Sequence, residues 1–182
     1  MENLGYYNGK FGPLEEMQIP MLDRACYFGD GVYDFSLAYN GKIFALDEHV
    51  DRLYRSASMI EIEIPYTKAE MKTILQEAVS RSEYERVSVY WQVSRGTALR
   101  NHVFPDAGTK ANFMIMVKPG STPGEDARYK LITLEDTRYL HCNIKTINLL
   151  PSVMAAEKAR RAGCDAVSYT HLRAHETPEH LV

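Results

Sequence analysis

The chain is short of cysteine, of excess charge and of long apolar runs, and each shortage removes a class of function. Three cysteines, Cys26, Cys142 and Cys164, are an odd number without metal-ligand spacing. They point to reduced thiols and a cytoplasmic protein rather than a disulfide framework. A formal net charge of −3 gives no electrostatic basis for binding nucleic acid or an anionic membrane. A local basic pocket for a small phosphate is still compatible with it. No apolar run is long enough to cross a bilayer, and Met1-Glu2-Asn3-Leu4 lacks the charged-then-apolar order of a secretory leader. Repeats and low-complexity segments are missing too. What is present is 182 residues with 45% hydrophobic and 25% charged content, enough for one cored domain or one domain and part of a second.

Local patterns predict an α+β architecture. Asn8-Gly9 and Asn40-Gly41 sit between strand-like residues and read as tight hairpin turns. Leu46, Val50, Leu53, Ala57 and Ile60 recur at helical spacing, with Asp47 as the expected N-cap. Thr67-Lys68-Ala69-Glu70 is a capping-box pattern opening a second helix through Met71, Leu75 and Val79. Val87, Val89, Trp91 and Val93 alternate with polar residues as in a strand with one buried face, whereas Phe113–Val117 reads as a strand buried on both faces. Pro119-Gly120-Ser121-Thr122-Pro123-Gly124 is the clearest linker. The expected organisation is a domain over 1–118, a linker over 119–127 and a second domain from 128, with a strand near 130–134 and a helix from about Pro151 to Ala162 closed by Gly163.

Four segments carry candidate chemistry. Lys145 lies in Cys142-Asn143-Ile144-Lys145-Thr146-Ile147-Asn148-Leu149-Leu150, an otherwise uncharged aliphatic stretch. Such neighbours strip water from an ammonium and favour the free amine that attacks carbonyls; the plainer reading is a strand-end lysine with its charge in water. Phe28-Gly29-Asp30-Gly31-Val32-Tyr33 reads either as a turn whose glycines supply positive φ or as backbone approaching a ligand, with the Tyr33 hydroxyl aimed at it. Arg52 falls opposite the Val50/Leu53/Ala57 stripe, so periodicity makes it solvent-exposed unless that face lines a cleft and grips an anion. Arg100-Asn101-His102 follows the Trp91 strand and is either a solvated basic loop or a carboxylate-binding one. His171 and His175, four apart beside Glu176, lack the His-Glu-x-x-His order and a third ligand, so no metal site is assigned.

Taken in order, these runs resemble the fold-type IV pyridoxal-phosphate aminotransferases, most closely the D-amino-acid branch. The matching stretches are Asp23-Arg24, Phe28 to Tyr33, Tyr39-Asn40-Gly41, His49 to Tyr54, Ile64 to Lys68, Gln92 to Thr97, Arg100 to Pro105 and Cys142 to Lys145. The resemblance implies an N-terminal α/β domain of the D-amino-acid aminotransferase-like fold plus the start of a second, pseudo-barrel domain. It implies pyridoxal 5′-phosphate as cofactor, Lys145 as the Schiff-base lysine and Arg52 as a ligand of the cofactor phosphate. It further implies that Tyr33, Arg100 and His102 recognise the substrate α-carboxylate, with Arg100 and His102 reaching the site of the partner subunit in a homodimer. A D-amino acid such as D-alanine and a 2-oxo acid are the implied substrates. Branched-chain aminotransferase and aminodeoxychorismate lyase activities share the fold and stay open, as does a non-catalytic dimerising or anion-binding domain.

The likeness runs to about Val167. The following residues, Ser168 to Val182, hold half of the chain's six histidines and resemble a foreign tail. The expectation is therefore a C-terminally truncated aminotransferase with little activity of its own, lacking the carboxylate that pairs with the pyridine nitrogen in the family.

Overall fold

Two Asn-Gly turns shape the edges of the main sheet. The computed structural model describes residues 3–121, 124, 126–138 and 140–170. Strand β1 (Leu4–Tyr7) turns through Asn8 (φ 44) and Gly9 (φ 92) into β2 (Lys10–Pro13). Strand β3 (Gly31–Tyr39) turns through Asn40 (φ 47) and Gly41 (φ 73) into β4 (Lys42–Ile43). Positive φ at both central residues is what a type I′ hairpin requires, so Asn-Gly fits each turn without strain. With β5 (Arg86–Ser94) and β6 (Asn112–Pro119) these strands form one antiparallel sheet in the order β2-β1-β6-β5-β3-β4.

Two helices cover this sheet. Helix α2 (Leu46–Met59) buries Val50, Leu53 and Ala57, and α3 (Lys68–Ser80) buries Met71, Leu75, Ala78 and Val79. They meet a layer of alternating strand residues, Val87, Val89, Trp91 and Val93 from β5 and Phe113, Ile115 and Val117 from β6. Complete burial of side chains such as Leu53 or Phe113 contributes about 1.5–3 kcal/mol each. The Thr67 capping box forms as expected: Thr67 accepts from the Glu70 N–H, and Glu70 accepts from the Thr67 N–H at 2.7 Å.

Three local expectations are corrected. Helix α2 is capped by Ala45 in the left-handed region (φ 46), and Asp47 sits inside the first turn, where its charge faces the helix dipole. Strand β6 buries one face only, since Met114 and Met116 are half-buried between the buried residues. Of the two glycines in Gly29-Asp30-Gly31, only Gly29 has positive φ (61), ending the short helix α1 (Arg24–Phe28). Gly31 is needed for space instead, because a Cβ there would stand 2.6 Å from the Val93 carbonyl oxygen.

The chain divides into two units. The first comprises residues 1–122 and 143–148, so the Lys145 segment belongs with the six-stranded sheet. The second contains β7 (Leu131–Glu135), α4 (Leu150–Arg161) and β8 (Ala166–Thr170), with β7 and β8 pairing in parallel. Pro151 stands in the first turn of α4, and Gly163 (φ 65) follows its Ala162 cap. Strand β8 ends three residues beyond Val167, while His171, His175 and Glu176 lie outside the described residues. Among the described residues no helix is long and apolar enough to cross a membrane.

Candidate active site

The Lys145 segment is held to the start of β3 by its backbone. Thr146 bridges Val32, the Tyr33 N–H donates to the Lys145 carbonyl at 3.0 Å, and the Ile147 N–H donates to the Gly31 carbonyl at 3.2 Å. On the α2 side the Lys145 N–H donates to the hydroxyl oxygen of buried Ser56 at 3.3 Å. The half-buried side chain sets its ammonium 4.0 Å from the centre of the Tyr33 ring, a cation–π contact. Tyr33 in turn stacks on Tyr90 at 5.3 Å, and the Tyr90 hydroxyl donates to Gln92 at 2.8 Å. Burial, together with the charge of nearby Tyr33, pushes the Tyr90 phenol well above its ordinary range. Among the described residues neither Lys145 Nζ nor the Tyr33 hydroxyl has a hydrogen-bond partner, so both can serve a bound molecule.

One turn of α2 before Ser56, Arg52 makes a two-pronged contact with Asp34. Its Nε donates to Oδ2 at 2.8 Å and its Nη2 to Oδ1 at 2.6 Å. The Asp34 side chain is wholly buried, whereas that of Arg52 is 41% exposed. His49 Nδ1 lies 2.8 Å from Asp34 Oδ1 and 3.1 Å from Arg52 Nη2. The shorter contact fits an Nδ1–H donating to the carboxylate. Burial pushes the Asp34 carboxyl up, but hydrogen bonds from Arg52, the Phe35 N–H and His49 outweigh it and hold the group below its usual range. The same hydrogen bond raises the Arg52 guanidinium above its usual value. Among the described residues Nη1 of Arg52 has no partner.

Arg100 and His102 lie elsewhere on this unit, exposed on the loop between β5 and β6. They flank the Phe28 ring, the Arg100 guanidinium at 5.2 Å and the His102 ring at 5.1 Å. The loop is fastened by a buried network with no role assigned from sequence. Arg24 Nε donates to Asp30 at 2.7 Å, and its Nη1 donates to the carbonyl of Asn101, the residue between Arg100 and His102. Arg95 Nε also donates to Asp30, while Nη1 and Nη2 donate to the Glu61 and Ile60 carbonyls at 2.9 and 2.7 Å. Its guanidinium stacks 3.8 Å from the Phe104 ring centre.

The five residues singled out in the sequence thus fall in two places. Lys145, Tyr33 and Arg52 gather around β3 and α2, while Arg100 and His102 sit around α1. Asp34, His49, Ser56 and Tyr90 complete the first group and were not picked out for it. A signal for Asp34 existed: it shares the register of buried Val32, Ser36 and Ala38, where an aspartate needs a cationic partner.

Comparison with known proteins identifies the family. The amino-transferase class IV family matches residues 31–175. The D-alanine aminotransferase of Staphylococcus haemolyticus is 37% identical over 156 residues, covering 85% of this chain and 55% of that protein. The D-alanine aminotransferase of Listeria monocytogenes serotype 4b is 38% identical over 152 residues, covering 81% and 52%. This chain therefore spans about half the length of these relatives. Among solved structures, a T.th. branched-chain amino acid aminotransferase with pyridoxamine 5′-phosphate aligns with a TM-score of 0.77 at 27% identity, covering 93% of this chain and 59% of that one. The branched-chain aminotransferase of Thermoproteus uzoniensis, at 23% identity and a TM-score of 0.77 over 94% and 60%, shares the fold. A family match over residues 31–175, together with relatives 37% and 38% identical across most of this chain, makes the protein a member of the class IV aminotransferase family.

Proposed function

We propose that this chain serves the transamination of D-amino acids, such as D-alanine, with a 2-oxo acid, using pyridoxal 5′-phosphate. The observation that carries the reading is the half-buried Lys145 amine, held on the Tyr33 ring without a carboxylate partner among the described residues. The 37% identity to a D-alanine aminotransferase supports the choice of substrate. The residues present fit the cofactor: Lys145 offers an amine for its aldehyde, and the free Nη1 of Arg52 offers a donor for its phosphate. When bound, that cofactor supplies the electron sink for a carbanion at the substrate Cα.

The chain's own residues do the rest. Lys145 Nζ takes the proton from Cα, a general-base step. Tyr33 limits where that amine can rest, since the ring occupies one side of it. Arg100 and His102 bind the α-carboxylate and so choose which face of Cα meets the lysine. Both are exposed on the loop between β5 and β6, and in this reading they serve the site of a second subunit in a homodimer.

Borohydride reduction of the chain mixed with pyridoxal 5′-phosphate, followed by peptide mass mapping, tests the assignment. The tag is expected on Lys145, and a tag spread over surface lysines would sink it. A second reading, branched-chain L-amino-acid transamination, rests on the likeness to the branched-chain enzyme that carries pyridoxamine 5′-phosphate. Offering D-alanine, L-leucine and aminodeoxychorismate side by side separates these activities, with D-alanine expected to react fastest even where every rate is low.

A further inference from the structure

Asp34 and His49 have no part in the chemistry proposed above, yet both are built into the wall beside it. Asp34 occupies a core register of β3, opposite Trp91 on β5, with its side chain fully buried. A buried carboxylate paired with an arginine adds little net stability over a well-packed apolar pair, so the pair's distinctive product is geometry. Arginine on a helix surface is rich in rotamers. Here two of its three nitrogens are pinned at 2.8 and 2.6 Å by one carboxylate, whose Oδ1 is held in turn by His49 Nδ1 at 2.8 Å. The guanidinium can then present only its Nη1 edge outward. The charges of Asp34 and Arg52 also cancel, so an anion is drawn there by directed N–H groups and not by net positive charge.

We propose that Asp34 and His49 are positioning residues that hold Arg52 with its Nη1 edge ready for the phosphate of the cofactor. The inference rests on the reading of Arg52 as a phosphate ligand. It makes a prediction opposite in sign to that of simple electrostatics. Removing the Asp34 charge leaves the region more positive, which alone would tighten phosphate binding. Losing the clamp frees the arginine and weakens it.

The test compares dissociation constants of the whole chain for pyridoxal 5′-phosphate and for pyridoxal, whose ratio isolates the phosphate. Wild-type chain is expected to prefer the phosphorylated form. Asp34→Asn is expected to lower that ratio about three- to tenfold, the cost of re-immobilising one rotamer-rich side chain, with pyridoxal affinity unchanged. Arg52→Lys keeps the charge but loses the planar fork, and a similar drop is expected. If Asp34→Asn fails to fold by circular dichroism, His49→Ala, which removes one partner of the same carboxylate, carries the test, with a smaller drop in the ratio expected. A ratio unchanged or raised in the folded Asp34 or His49 variant overturns the inference alone. A wild-type chain without phosphate preference overturns the reading of Arg52 as well, so the two failures are distinguishable.

Discussion

Asp30 and Asp34 stand four residues apart on one short run of chain, and each is a carboxylate held by two cationic or ring-nitrogen partners. Asp30 takes Arg24 and Arg95, whose side chains are 4% and 9% exposed; Arg95 uses all three of its nitrogens on protein atoms. Asp34 takes Arg52 and His49, and Arg52 keeps one edge turned outward. The chemistry is the same and the consequence differs. An arginine whose three nitrogens are all answered inside the protein is a tie, whereas one with a nitrogen to spare is, on the reading proposed above, a receptor. On that reading, counting unanswered nitrogens separates the two roles where counting ion pairs does not.

The comparison can be broken at several points. The largest effect is expected from Arg95→Ala, which leaves Asp30 half compensated and strips donors from the Ile60 and Glu61 carbonyls. Breaking such a buried pair costs about 3–5 kcal/mol, readable as a lower urea midpoint. Arg52→Ala should cost less, about 1–2 kcal/mol by the same measurement, because His49 and the Phe35 N–H still answer Asp34. Equal losses in the two variants would erase the distinction between tie and receptor.

A third test uses pH. The folded Asp34 carboxyl lies below its ordinary value, so its stabilising contribution is fully present above the ordinary aspartate range near about 3.9. It is lost as pH falls through the lower folded value, since there the unfolded chain has already taken up its proton. Unfolding midpoints followed downward from pH 5 should therefore fall less steeply in Asp34→Asn than in the wild type. The smallest effect is expected at the exposed Asp51–Lys68 pair, where Lys68→Ala should leave the midpoint within error. A clear loss there would mean that surface pairing, and not burial, sets the scale of the other results.

Sequence revealed what is decided locally. The Asn-Gly turns, the Thr67 capping box and the alternation of Val87, Val89, Trp91 and Val93 are each contained within a few residues, and each formed. The likeness to the class IV family also grouped Lys145, Arg52, Tyr33, Arg100 and His102 as one chemistry. Their neighbours were hidden because tertiary register decides them. Asp34 meets Arg52 only after β3 has paired with β5 and α2 has settled across the strand. Helical periodicity put Arg52 in solvent, and half of its side chain is there, but the stripe method cannot see a carboxylate arriving from a strand. Arg24 likewise reaches Asn101 across a long stretch of intervening chain.

The bridge between Val32 and Thr146 has a bearing on the order of assembly. It joins the beginning of β3 to a segment that follows the last strand of the six-stranded sheet in the chain. Closing so long a loop carries an entropic cost that local hairpins and the α2–α3 pair do not, so their contacts can form first. The pairing of β1 with β6 spans as long a stretch of chain, so the peptide bearing Lys145 docks onto a sheet whose own closure is equally non-local. During synthesis the peptide bearing Lys145 thus follows every strand of the sheet on which it docks.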